Sequence, residues 1–346
     1  MKFDRRKGVL LFALLLGVFF LFFYNSSEGK KGKKFLTENG RIFGTFYKII
    51  YESPGRKSLE PGLKELLHSF DLSLSVFNDS SIISRINRND STVVVDDYFR
   101  TVFETGQRVS EISNGAFDMT VAPLVNAWGF GFSRENEVTP KLIDSLLKNV
   151  GYEKVRLEGD RVIKDNPAIM LDASAIAKGY ACDVVAAFLD SEGIENYMVE
   201  IGGEVVVKGH NKEGAPWSIG ITKPVDDNTM MITELQKIVY MESGGLATSG
   251  NYRQYYYKDG KKYAHTIDPH TGYPTGNSLL SATVIAPNCI LADAYATAFM
   301  VLGLEQSLIL AGFMPDIEAY FIYSNSRNSL AEKYTEGFKK YLKVNN

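Results

Sequence analysis

Tyr197-Met-Val-Glu-Ile-Gly-Gly-Glu-Val-Val-Val-Lys208 holds two short runs of apolar and β-branched residues on either side of a glycine pair. Tyr197 to Ile201 and Glu204 to Lys208 each have the composition of a strand, and the glycines leave room only for a short turn. Strands joined this closely pair antiparallel, because a parallel crossover needs a long connection. The pattern recurs outward from here. Trp217 to Thr222, Ile238 to Glu242, Tyr252 to Lys258 and Ser281 to Ile285 read as further strands, and Arg41 to Tyr51 reads as one strand near the start. Helical spacing falls between them, at Pro61 to Phe77 through Leu63, Leu66, Leu67 and Phe70. Phe99 to Ser113 is a second helix that stops at Asn114-Gly115. Lys141 to Asn149, Ser174 to Ser191 and Ala292 to Leu302 complete the set. The expected fold class is α/β of the α+β kind, with antiparallel-rich sheets flanked by helices rather than a doubly wound parallel sheet.

The chain has 346 residues, of which 45% are hydrophobic and 23% charged, enough for a sizeable core and too apolar for disorder. A net charge of -3 gives no basic face for nucleic acid. No repeat, low-complexity tract or linker divides residues 35–340, which read as one domain. The first thirty residues read separately. Lys2, Arg5, Arg6 and Lys7 precede an uncharged stretch from Gly8 to Ser27, close to the roughly 20 apolar residues that span a bilayer. The only small-x-small end is Ser27-Glu28-Gly29, so an uncleaved anchor is favoured over a cleaved signal. The basic flank stays cytoplasmic in that reading, which places the rest of the chain outside. Cys182 and Cys289 lie far apart and outside any CxxC pair, which argues against zinc; they read as two small buried thiols, or as one disulfide in an oxidising compartment.

Several segments carry candidate chemistry. No GxxxxGK[ST] loop is present, and Gly129-Phe-Gly131 lacks the rest of a dinucleotide fingerprint. Ile201-Gly-Gly-Glu204 and Ser243-Gly-Gly-Leu-Ala-Thr-Ser-Gly250 could cradle an anion with backbone N–H groups, or simply be tight turns. In Leu171-Asp-Ala-Ser-Ala-Ile-Ala-Lys-Gly-Tyr-Ala-Cys-Asp183, Asp172 is placed to cap a helix and Lys178 to meet a phosphate. The small residues there also suit close helix packing. In Tyr263-Ala-His-Thr-Ile-Asp-Pro-His-Thr-Gly-Tyr-Pro274, His265 is a candidate base three residues before Asp268, and the pair could equally serve the turn. His270 is expected at the surface, and His68 and His210 are structural. Asp293 and Thr297 are four apart on a helix, so they share a face: they could offer hard oxygen ligands for Mg²⁺, or equally form a polar stripe on an otherwise buried helix.

In order along the chain, these segments resemble the ApbE family, the FAD:protein FMN transferases. The resemblance covers residues 40–305 and includes Gly44-Thr45, Ser84-Arg-Ile-Asn87, Gly115-Ala-Phe-Asp-Met-Thr120 and Trp128-Gly-Phe-Gly131. Asp172 to Asp183, Ile201-Gly-Gly203, Thr248-Ser-Gly250, His265-Thr-Ile-Asp-Pro269, Thr271-Gly-Tyr-Pro274, Ala292-Asp293 and Ala296-Thr297 complete it. It implies cleavage of FAD at its pyrophosphate, transfer of FMN to a Ser or Thr hydroxyl of an acceptor protein, and release of AMP. It implies Mg²⁺ held by Asp293, Thr297 and the backbone carbonyl of Ala175. Phe77, Ala116, Phe117, Asp118, Asp172, Lys178, Ser249, His265 and Ile267 would contact FAD, and His265 would be the catalytic base. Phe77 stands where the family often has Tyr, which removes a hydroxyl but keeps a ring that can stack. The family modifies membrane-associated electron-transfer proteins on the extracytoplasmic side, so the implied location is an inner-membrane anchor with a periplasmic domain. Two rival readings share these residues: an FAD pyrophosphatase that uses water in place of the acceptor, and a non-catalytic flavin-binding protein.

Overall fold

The computed structural model describes residues 34–131, 138–224, 234–251, 255–258 and 261–342, so the expected anchor lies outside the described residues. Among them, no helix is long and apolar enough to cross a membrane. Among the described residues, fourteen strands begin with β1 (Lys34–Ile42), β2 (Thr45–Ser53), β3 (Val155–Glu158), β4 (Arg161–Lys164) and β5 (Tyr197–Ile201). They continue with β6 (Glu204–Lys208), β7 (Trp217–Thr222), β8 (Leu235–Met241), β9 (Ser243–Gly250) and β10 (Tyr255–Lys258). The last four are β11 (Lys261–Ala264), β12 (Leu279–Ala286), β13 (Glu318–Ser324) and β14 (Leu330–Tyr334). The helices are α1 (Glu60–Leu74), α2 (Ile82–Asn87), α3 (Asp97–Ile112), α4 (Ala122–Ala127), α5 (Pro140–Leu147), α6 (Ala177–Ser191), α7 (Cys289–Leu302) and α8 (Leu304–Gly312).

One sheet of eight strands, ordered β1-β2-β5-β6-β9-β12-β13-β14, dominates the fold. Every neighbouring pair in it is antiparallel, as the 197–208 hairpin predicts. Period-two alternation explains how it is covered. Val206, Ala247, Val284 and Phe321 point to one face, where they join Phe70, Phe99, Val185, Leu189 and Phe299 of the helices in the main core. Val205, Val207, Leu246, Ile285 and Ile322 point to the other, against Trp217 and Val239 of the β7–β8 hairpin and Phe338 of the last turn. Buried on both faces, β6 reads as a continuous Val run rather than an alternating one.

Two sequence expectations are corrected here. Arg41 to Tyr51 is a strand only from Thr45 onward, in β2: Arg41 and Ile42 end β1, Phe43 and Gly44 both have positive φ, 51° and 72°, and the chain doubles back there. Nor is Ser243 to Gly250 an anion cradle or a turn. It is central strand β9, paired with β6 and β12. A side chain at Gly245 would sit 2.4 Å from the backbone of Cys289, so this glycine lets the start of α7 lie against the strand.

Candidate active site

Helices α6 and α7 cross at a point where neither can carry bulk. A Cβ at Gly179 would lie 2.2 Å from the Cys289 carbonyl oxygen and 2.7 Å from Asp293 Cβ. The crossing is fixed electrostatically as well. Asp183 of α6 accepts the N–H groups of Cys289 and Ile290, both at 2.8 Å, and so caps α7 from outside. Burial pushes the Asp183 carboxyl up to about 6, against the pull of those two N–H donors.

The start of α6 departs from expectation. Asp172 is not its cap: Oδ1 accepts the Ser174 N–H at 2.7 Å in a turn ahead of the helix, and Ile176 holds the cap position without a side-chain bond. Four backbone donors at a helix start need partners. One of them, the Gly179 N–H, donates to Asp293 Oδ2 at 3.0 Å. In an uninterrupted helix that N–H would bond the carbonyl of Ala175, four residues back. The Ala175 carbonyl thus receives no backbone donor among the described residues.

Lys178 reaches into the same point. Its Nζ donates to the Ser174 carbonyl at 3.2 Å and lies 3.3 Å from Glu204 Oε1 and 3.7 Å from Asp293 Oδ2. Asp293 is 2% exposed and Glu204 5%, and Glu204 Oε2 has no hydrogen-bond partner among the described residues. Burial pushes the Glu204 carboxyl up to about 7; the Lys178 charge pulls it down and the Asp293 charge pushes it up. Burial pulls Lys178 down, but the charges of Asp293 and Glu204 outweigh it and hold the ammonium above its ordinary value. One turn beyond Asp293, Thr297 Oγ1 lies 3.1 Å from Ser249 Oγ on β9. The structure therefore brings together Lys178 and Asp293, and Thr297 and Ser249. It adds Glu204 and Asp183, which the sequence reading did not single out, and gives Gly179 the close helix packing that its small size suggested.

The set suits a hard divalent cation: a buried carboxylate, a hydroxyl one turn away on the same face, and a carbonyl left without a donor. No group of three or more His, Cys, Asp and Glu side chains forms a metal cage among the described residues. A cation here would complete its shell with water and ligand oxygens, as Mg²⁺ commonly does.

A second group surrounds His265. Ile267 packs with Leu124, Trp128 and Ile143 in a small core of its own. Trp128 stacks on Tyr263 with ring centroids 5.3 Å apart, and its Nε1 donates to the Gly272 carbonyl at 2.8 Å. The His265 ring meets Phe130 edge-on at 6.4 Å. Asp268 serves the turn: it accepts the His270 N–H at 2.9 Å and the Thr271 hydroxyl at 3.0 Å. His270 is exposed as expected, yet its Nε2 lies 2.8 Å from the Asn114 carbonyl oxygen. The loop is tied to β9, because Thr275 N–H donates to the Thr266 carbonyl and Asn251 Nδ2 donates to Thr275 Oγ1 at 3.1 Å.

The remaining candidates divide. Phe77, just past α1, is 67% exposed. Ala116 and Phe117 are each 2% exposed, and the Phe117 ring packs in the main core. Asp118 turns inward: Oδ1 accepts the Thr120 N–H and hydroxyl, and Oδ2 accepts the Tyr152 N–H at 2.8 Å. Burial raises its carboxyl above the ordinary range. Both cysteines are buried free thiols, as the sequence suggests.

Known proteins are similar to this chain in sequence and in overall structure. The sequence model of the ApbE family matches residues 43–321. An FAD:protein FMN transferase of Vibrio cholerae is 40% identical over 281 residues, 79% of this chain and 83% of that protein. One of Haemophilus influenzae is 33% identical, over 90% and 92%. The solved flavin transferase ApbE of Vibrio cholerae superposes with a TM-score of 0.81 at 36% identity, covering 90% of this chain and 100% of that one. The apo flavinyl transferase ApbE of Pseudomonas stutzeri gives 0.79 at 33% identity, covering 90% and 97%. Family match, sequence identity and overall superposition agree, and the chain belongs to the ApbE family.

Proposed function

We propose that this chain is a Mg²⁺-dependent FAD:protein FMN transferase acting on a Ser or Thr hydroxyl of an acceptor protein and releasing AMP. The observation that carries the reading is the meeting of half-buried Lys178 with buried Asp293 and Glu204, beside an Ala175 carbonyl that receives no backbone donor among the described residues. Asp293, Thr297 and the Ala175 carbonyl would hold Mg²⁺, which supplies charge neutralisation at the pyrophosphate when bound. Lys178 and the turn after Asp172 hold the phosphates, and Ser249, Ile267 and the exposed ring of Phe77 contact the rest of FAD. Ala116, Phe117 and Asp118 shape the pocket wall from behind. His265 takes the proton from the acceptor hydroxyl as its oxygen bonds the FMN phosphorus, and the phosphorus–oxygen bond to AMP breaks.

Residues 35–340 form the transferase unit in this reading. The basic start and the uncharged run to Ser27 support a single inner-membrane anchor with that unit on the periplasmic side, facing electron-transfer proteins as acceptors. The test is incubation with FAD and Mg²⁺, with and without a protein bearing an acceptor Ser or Thr. A fluorescent, denaturation-resistant acceptor band that EDTA abolishes is the expected result. AMP in both tubes with no band would mean a pyrophosphatase. Bound FAD with neither product would mean a flavin carrier.

A further inference from the structure

Asp293 is already engaged by a cation from within the protein. The Lys178 ammonium sits between two buried carboxylates, 3.7 Å from Asp293 Oδ2 and 3.3 Å from Glu204 Oε1. A divalent cation bound by Asp293 therefore competes with Lys178, and like charges this close repel strongly away from bulk water. Lys178 needs somewhere to go that keeps it charged. Glu204 offers it: the side chain is 5% exposed and Oε2 accepts no hydrogen bond among the described residues, so part of its acceptor capacity is unused there. The space around it is kept open. Gly202 has φ 67°, and a Cβ there would lie 3.2 Å from Lys178 Cδ and 3.3 Å from Glu204 Oε2. Glycine at this turn leaves room for both the lysine stem and the free oxygen.

We propose that Glu204 is a positioning residue, the counter-ion that draws Lys178 away from Asp293 when the divalent cation binds. The exchange is of ionic partners, with no covalent change. It leaves the ammonium charged beside the cation, where it can meet a phosphate. The inference rests on the cation reading of Asp293 and adds a role for Glu204 that does not require it to touch the metal.

The test is titration of the FAD-free full chain with Mn²⁺ as the probe, free Mn²⁺ being read by electron paramagnetic resonance. Glu204→Gln should weaken Mn²⁺ binding about tenfold, since Lys178 then has only Asp293. Adding Lys178→Met to Glu204→Gln should restore affinity to within about threefold of the parent, a coupling that a double-mutant cycle reads directly. Lys178→Met alone should tighten binding, and it decides the matter if circular dichroism shows Glu204→Gln unfolded. An unchanged affinity in Glu204→Gln overturns the proposal. So does failure of the double variant to recover, which would make Glu204 itself a ligand, or weaker or unchanged binding in Lys178→Met. The cation reading has its own control: it falls if the parent binds no Mn²⁺ or if Asp293→Ala binds as well as the parent.

Discussion

The two halves of the candidate site are held in opposite ways. At the α6–α7 crossing, backbone meets backbone, side chains are absent where they would collide, and the polar groups are buried. Around His265, a loop is held by turn hydrogen bonds, one tryptophan N–H and a small satellite core. The first arrangement tolerates almost no change in volume, because close-packed interiors transmit strain. The second can lose single bonds and still close. Rigid geometry thus surrounds the residues assigned to the cation, and adjustable geometry surrounds the residue assigned to the incoming hydroxyl.

Variants that break this contrast are ordered by expected size. Gly179→Val should do the most damage, because even a Cβ would overlap the Cys289 carbonyl at 2.2 Å. A loss of about 3 kcal/mol in a denaturant titration is expected, with loss of Mn²⁺ binding. A parent-like stability would show that the crossing is not rigid.

Asp183→Asn addresses the same crossing through pH. A carboxyl held at about 6 when folded, above its ordinary unfolded value, contributes stability at low pH that is lost as pH rises through about 6. The parent should lose stability between about pH 4 and 6 through this group, and Asp183→Asn should flatten that part of the curve. Identical pH profiles for the two proteins would remove Asp183 from the account.

Trp128→Phe probes the loop. It deletes the bond from Nε1 to the Gly272 carbonyl, worth about 1 kcal/mol, and loosens the segment that carries His265. Transfer should slow while Mn²⁺ affinity stays at the parent value. An equal loss of both would mean that the two halves are not separable.

Phe77→Tyr should have the smallest effect. The ring is 67% exposed, so stability should stay within about 0.5 kcal/mol of the parent. FAD affinity, read by flavin fluorescence, should rise with the added hydroxyl. No change in affinity would place Phe77 outside the flavin contact.

The legibility of the sequence follows the same divide. The 197–208 hairpin is readable because β-branched runs and a glycine pair are local signals. Asp293 and Thr297 are readable because helical spacing puts them on one face. Strand β9 is not, since its glycines have no side chain to alternate and Gly245 is needed only for the distant backbone of Cys289. The role of Glu204 is hidden for a similar reason: it opens an apolar strand, and its partners Lys178 and Asp293 arrive from two other elements. Asp172 misleads because a carboxylate before a helical stretch can close a turn as readily as cap a helix. Phe117 and Asp118 carry no local mark of facing inward.

The eight-stranded sheet is open, so it ends in two rims. β1 on one side carries Lys34, Glu38 and Arg41, and β14 on the other carries Glu332 and Lys333. An added strand would have to lie beside these charged side chains. Both rims therefore discourage further growth of the sheet by strand addition.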